Sequence, residues 1–399
     1  MKKIYLITTL ALLFFCRPAC AQNGNDTIVY LLTCNPGTEI HTIYGHSALR
    51  IVDNYSGSDM VYHWGVFDFS TPNFAWKFAK GRLDYMVGGW TINGFLLAYF
   101  YEEIGVKSQR INLEPESVRK LLELIKENLK PENVKYKYDF FYDNCATRIR
   151  DILEKATDGK IEYPYDVTPD ALTLRDMINE YQQPYLWLNF GINLAVGSPS
   201  DKKASFRERM FLPLELQKCL SETMIFTDGR IVPLLQNPTT LLDYDMPVVK
   251  SSKLFAPETV LALFLILLIV FIPFIRKKVL INSVDIFIFF VFSVLACFML
   301  FFNFFTDHQA TKMNLNIIWL NPFIIFCLIL LITNKTGAIW FRLVFYLSIL
   351  FLVISLILPQ DFAAAVIPAC LVLALRSSAR SAFAWNPFTI NEKNFGFSN

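Results

Sequence analysis

Among the residues able to do covalent chemistry, one cysteine and a cluster of histidines stand out. Cys145 lies in Tyr142-Asp143-Asn144-Cys145-Ala146-Thr147-Arg148-Ile149-Arg150, where Asn144-Cys145 reads as the opening of a helix. A helix N-terminus and the nearby cations Arg148 and Arg150 both favour the thiolate, the nucleophilic form of cysteine. The chain has only four histidines, and three of them, His41, His46 and His63, fall within 23 residues. His46 opens the run Tyr44-Gly45-His46-Ser47-Ala48-Leu49-Arg50-Ile51, and His63 lies in the return run Val61-Tyr62-His63-Trp64-Gly65. A strand-borne histidine facing a cysteine at a helix start is the arrangement of a thiol nucleophile with its base. A third polar group would orient that base, and the spacing leaves His63 and Asp68 as competitors. A buried structural cysteine is the competing reading of Cys145.

Other chemistries find less support. No paired-ligand spacing such as His-x-x-x-His occurs, so no metal site is expected. No glycine-rich phosphate loop occurs either, and no nucleotide or other cofactor is expected. Of the eight cysteines, Cys16 and Cys20 lie in the N-terminal segment, Cys34, Cys145 and Cys219 in the body, and Cys297, Cys327 and Cys370 in apolar runs. An odd number in an oxidising compartment leaves one thiol over, and a Cys34–Cys219 disulfide would make that thiol Cys145.

These residues need elements to hold them. Thr27–Leu32, Ser47–Val52 and Met60–Val66 read as strands, the last two joined by the turn-rich Asp53–Asp59 into a hairpin. Pro115-Glu116 followed by Val118, Leu121, Leu122 and Ile125 reads as an amphipathic helix with proline in its first turn. A second helix starts at Asn144-Cys145 and runs through Ile149, Ile152 and Leu153. Ser198–Arg209 is polar and loop-like. The expected class is α+β for residues 22–256.

The ends of the chain set its compartment. Lys2-Lys3, the apolar stretch Ile4–Phe15 and Ala19-Cys20-Ala21 make residues 1–21 a signal peptide, with an uncleaved anchor as the alternative. At 54% hydrophobic and 18% charged, with 37 phenylalanines, the 399-residue chain must sit partly in lipid. Apolar runs at 259–275, 286–305, 315–332, 338–358 and 362–375 make 257–380 an all-α bundle of about five spans, with a cytoplasmic tail at 381–399. The first four runs are long enough to cross, while the fifth is short and carries Pro368. Arg276-Lys277-Lys278, Lys335 with Arg342, and Arg376 with Arg380 fall on one side of five spans. That side is cytoplasmic, which leaves 22–256 outside. Asp285 and Arg342, near span ends, read as snorkelling side chains. The net charge of +2 conceals a mildly acidic exported part and a basic bundle, and neither carries a nucleic-acid footprint.

Phe141–Asp151, together with Tyr44–Ile51, resembles the exported domain of the Lnb-type lipoprotein N-acyltransferase family. So do Trp187–Gly197, Asp201 and Glu208–Pro213, and at the membrane Asp307-His308 followed by Asn314–Pro322. The likeness covers most of the chain after the signal peptide. It implies a circularly permuted papain-like fold in which histidine precedes cysteine. By it Cys145 is the nucleophile, His46 the base, and His63 stands where a third polar residue belongs. The implied reaction moves an acyl chain from a lipid ester, of a membrane phospholipid or of the lipoprotein itself, to a lipoprotein N-terminus. The enzyme would sit in the inner membrane as a multi-pass protein, its catalytic domain on the periplasmic face. Tyr44, Asn144, Arg148, Asp68 and His308 are candidate supporting or substrate-binding residues, with His308 in an outer loop near headgroups. Two rivals use the same features: a cell-wall thiol peptidase or amidase, and a non-enzymatic membrane component that binds through the exported domain.

Overall fold

Alternating and β-branched residues from Thr27 onward build β1 (Thr27–Cys34), β2 (His46–Asp53) and β3 (Ser58–Val66), the last two joined as the expected hairpin. The computed structural model describes residues 27–381 apart from Asp228. The signal peptide at 1–21, and the tail at 381–399 beyond its first residue, fall outside the described residues.

Further strands β4 (Asp84–Thr91), β5 (Val106–Arg110), β6 (Lys135–Lys137) and β10 (Thr239–Leu242) complete a sheet in the order β10-β5-β1-β2-β3-β4-β6. Every pairing in it is antiparallel. A second, smaller sheet is formed by β7 (Ile161–Glu162), β8 (Met224–Thr227) and β9 (Arg230–Pro233). Around the sheets lie α1 (Phe74–Ala79), α2 (Ile92–Tyr101), α3 (Pro115–Asn128), α4 (Cys145–Thr157), α5 (Leu174–Gln182), α6 (Leu186–Ala195), α7 (Phe206–Arg209) and α8 (Pro213–Glu222). This part is mixed α/β.

Strand alternation divides the core in two. Leu31, Leu49 and Trp64 face α3, α4 and α8, packing with Leu121, Ile149, Leu153 and Cys219. Leu32, Cys34, Ala48 and Val61 point the other way and pack on Phe95 of α2. Ile149 and Leu153 are fully buried, and each contributes about 1.5–3 kcal/mol on burial. Cys34 and Cys219 therefore lie on opposite faces of one sheet, and both thiols are free. The disulfide that would have left Cys145 as the odd thiol does not form between them.

Ser198–Arg209, expected as loop, holds a 3-10 turn at Ser198–Asp201 and the short α7, whose capping box joins Ser205 to Glu208.

Residues 257–381 form α9 (Pro257–Phe271), α10 (Lys278–Phe304), α11 (Phe323–Ile332), α12 (Ala338–Ile354) and α13 (Val366–Arg380). By length and hydropathy, α9 with its 3-10 extension to Phe274 and α10 are long enough to cross a membrane. The third apolar run yields only a ten-residue helix, about 15 Å long. Its first part is a 3-10 turn at Leu315–Ile318, and Pro322 sets the later helix start. Snorkelling does not describe Asp285. It is fully buried in ion pairs with Arg376 at 2.6 Å and Arg380 at 2.5 Å, while Arg342 donates to the Ser381 carbonyl.

The loop between α10 and α11 joins the two parts. Arg82 pairs with Asp307 at 2.6 Å, the His308 imidazole bonds the Phe78 carbonyl at 3.0 Å, and Trp76 lies against Phe301. Asn314 donates to the Leu194 and Ala195 carbonyls, and the Gly197 amide donates to Ala310. Behind this seam Arg175, 2% exposed, holds Asp201, Asn193 and the Val196 and Gly197 carbonyls.

Candidate active site

The N-terminus of α4 is built by Asn144. Its side-chain oxygen accepts from the Ala146 and Thr147 amides, and its amide group donates to the Phe140 and Phe211 carbonyls. Thr147 closes the capping box by accepting from the Asn144 amide. The helix start is thereby pinned, and Cys145 with it. Asn144 is spent on this scaffold.

Cys145 meets the sheet at a deliberate irregularity. The β2–β3 ladder begins only at Leu49–Tyr62, so Ser47 has no β3 partner and its amide is near enough to the Cys145 sulfur to favour the thiolate. Opposite, β3 shifts register between Trp64 and Val66, and Gly65 there has φ +94°. A Cβ on Gly65 would stand 3.9 Å from the Cys145 Cβ. A glycine at this bulge lets strand and helix start come together.

His46 and His63 share the α2-facing side of the sheet, and His46 Nε2 lies 3.1 Å from His63 Nδ1. The third group beside His46 is thus His63. Asp68, its competitor, sits in an exposed turn after β3 and accepts from the amide and hydroxyl of Ser70. The chain leaves the sheet at Val66, before Asp68 could reach His46. Among the described residues no hydrogen bond joins the Cys145 sulfur to either imidazole; such contacts often tighten only around substrate.

Electrostatics reverse one expectation. Burial pushes the Cys145 thiol up to about 11, despite the opposing amides of Ser47, Ala146 and Cys145 itself. Burial, and then His63, lowers His46 to about 3, and burial lowers His63 to about 4. The resting site holds a neutral thiol and neutral imidazoles, not a thiolate. The cations expected to stabilise a thiolate are occupied. Arg148 grips Asp143 at 2.5 and 2.8 Å and stacks on Tyr136, while Arg150 bonds Asp151 and the Arg207 carbonyl.

The remaining candidates support rather than touch the site. The Tyr44 hydroxyl accepts from Gln182 at 2.5 Å and its ring packs on Phe140, tying β2 to the helices beyond. His308 belongs to the docking seam, where a Cβ on Gly81 would stand 3.2 Å from its ring.

A cavity of about 220 Å³ opens beside the pair, lined by His46, His63, Trp90, Phe95, Ala98 and Tyr99 among others. A larger one of about 360 Å³ lies between α5 and α8 and contains neither histidine nor cysteine. Trp90 packs edge-on to His63 at 5.2 Å. Sequence reasoning missed Ser47, Gly65 and this aromatic wall. Gly88-Gly89-Trp90 before an uncharged helix was the available signal.

Residues 18–183 match the family model described as Lnb N-terminal periplasmic domain, and residues 249–385 the one described as Lnb transmembrane domain. No curated protein and no solved structure matches the chain. The chain is a membrane protein with a periplasmic part.

Proposed function

We propose, for a chain that belongs to the Lnb-type family by its periplasmic and transmembrane domains alike, that Cys145 carries an acyl chain from a lipid ester to a lipoprotein's N-terminal amine. The observation that carries this reading is that the His46–His63 pair and Cys145 gather at one end of β2 and β3, Cys145 against Ser47 and Gly65, and that this is the sheet end that meets the membrane domain. Register supports that placement: Cys34 pairs with His46 and with Val106, Val66 pairs with Met86, and the segment leaving this end reaches Asp307 through Arg82. A thiol hydrolase acting on cell wall would need no such placement. The domain is read as a circularly permuted papain-like fold, with the histidine strand ahead of the cysteine helix, in a multi-pass protein of the inner membrane.

The neutral resting pair sets the order of events. The Cys145 sulfur attacks the ester carbonyl as its proton passes to His46 Nδ1. His46 carries its own hydrogen on Nε2 and donates it to His63 Nδ1, so the charge that develops is shared with a partner. The oxyanion meets the Ser47 and Cys145 amides, since those of Ala146 and Thr147 already serve the Asn144 cap. The ester C–O bond breaks, the leaving alcohol takes the proton from His46, and a thioester remains. The acceptor amine then attacks the thioester, gives a proton to His46, and the C–S bond breaks to return the thiol. The donor is a phospholipid or the lipoprotein's own diacylglyceryl group.

Intact-mass measurement of the purified protein incubated with phospholipid tests this directly. The expected result is an acyl adduct released by neutral hydroxylamine and absent from Cys145→Ala. An adduct that survives in Cys145→Ala removes the thioester from the account.

A further inference from the structure

α2 is unusual for a surface helix of a periplasmic domain. Its sequence, Ile92-Asn93-Gly94-Phe95-Leu96-Leu97-Ala98-Tyr99-Phe100-Tyr101, holds no charge. Phe95 alone is buried, while Leu97, Phe100 and Tyr101 are 52%, 51% and 76% exposed. Phe100 meets Tyr244 on one side, and the apolar surface that Leu97, Phe100 and Tyr101 still expose calls for a non-aqueous neighbour.

The fold says which neighbour. The opposite face of α2, through Phe95, Ala98 and Tyr99, walls the cavity that holds His46 and His63. Its C-terminal end leads into β5 at Val106, which pairs with Cys34 at the same sheet end as His46. The segment leaving that end carries exposed Phe69, Trp76 and Phe78, and Trp76 already packs on Phe301 of α10 at 5.4 Å. Phe100 contacts Tyr244, in the stretch that runs into α9 at Pro257. Apolar surface therefore continues from a membrane-spanning helix through α1 toward α2. Glu102 and Glu103, exposed just past its end, suit headgroup level. His63 Nε2, buried and without a hydrogen-bond partner, is among the polar groups lining the cavity on its other side.

We propose that the C-terminal part of α2 dips into the outer leaflet, with Leu97, Phe100 and Tyr101 among phospholipid acyl chains, and that its inner face admits an acyl chain to the histidine cavity. Moving Leu97, Phe100 and Tyr101 from water to acyl chains removes exposed apolar surface from water, which is favourable. The proposal deepens the acyl-transfer reading and takes from it only the reason a chain should enter the cavity.

The test uses the full chain in phospholipid nanodiscs, with the photoreactive residue p-benzoylphenylalanine replacing Leu97, Phe100 or, as control, Tyr55. Tyr55 is 80% exposed in the β2–β3 turn, at the far end of the sheet. A Cys145→Ala background keeps turnover out of the readout. Phospholipid adducts by mass spectrometry are expected at 97 and 100, on the order of tenfold above position 55. Adducts at both positions support the proposal whatever an acylation assay shows. Equal, low adduct levels at all three positions overturn it, even in an active enzyme, as does crosslinking of 97 to protein instead of lipid.

Discussion

His46 and His63 both sit in a setting that resists protonation, and this has a consequence for stability. Their folded values, about 3 and about 4, lie below the ordinary 6.5 of an unfolded histidine. Above 6.5 both states are neutral and nothing is lost. As pH falls below 6.5 the unfolded chain binds protons that the folded chain refuses, so stability is lost between about 6.5 and those folded values. The slope is at most about 1.4 kcal/mol per pH unit for each histidine. Thermal unfolding of the detergent-solubilised protein at pH 7 and pH 5 should show this loss, and the double variant His46→Asn, His63→Asn should recover much of it. An identical pH dependence in that variant would mean that other groups set it. Cys145 and His46 were legible in the sequence because their residue types are scarce and their neighbours read as helix and strand. Choosing His63 over Asp68 was not legible, because it depends on where β3 ends. The neutral thiol was hidden too, since the sequence displays Arg148 and Arg150 but not the carboxylates that occupy them.

At the scale of elements, the site depends on how the periplasmic domain is docked. The exposed Arg82–Asp307 pair contributes little, about 0–1 kcal/mol by the usual measure of surface pairs. Gly197 matters more. A Cβ there would stand 1.9 Å from the Lys312 carbonyl oxygen, backbone against backbone. Gly197→Ala must push the loop off, at a cost of about 1–3 kcal/mol. Hydrogen exchange should rise at the Gly197 amide, which donates to Ala310, and in 307–316, while the amides of β1 and β2 stay protected. Unchanged exchange in 307–316 would show that this seam does not hold the two parts together. The sequence revealed the strands, the hairpin and both amphipathic helices through their periodicity. It did not reveal the seam, whose asparagine and glycine contacts join residues more than a hundred positions apart, nor the ten-residue third helix, because a run of hydropathy does not register a 3-10 turn.

At the scale of the molecule, the near-neutral total charge resolves into two working parts. The basic end of the bundle is organised around buried Asp285, which gathers Arg376 and Arg380 from a helix far away in sequence. Removing one member of such a buried group is far more damaging than losing a surface pair. The bundle's other end meets the sheet end where Cys145, His46 and His63 lie. On the proposed function, this arrangement brings a thiol nucleophile to lipid and to a lipoprotein N-terminus. The most direct measurement is the mass of lipoprotein N-termini in cells whose only N-acylating enzyme is this protein. N-acylated termini are expected with the native chain and free amines with Cys145→Ala and with His46→Ala, told apart by fragmentation, which locates the acyl chain on nitrogen or oxygen whichever lipid is the donor. Full N-acylation with Cys145→Ala would contradict it.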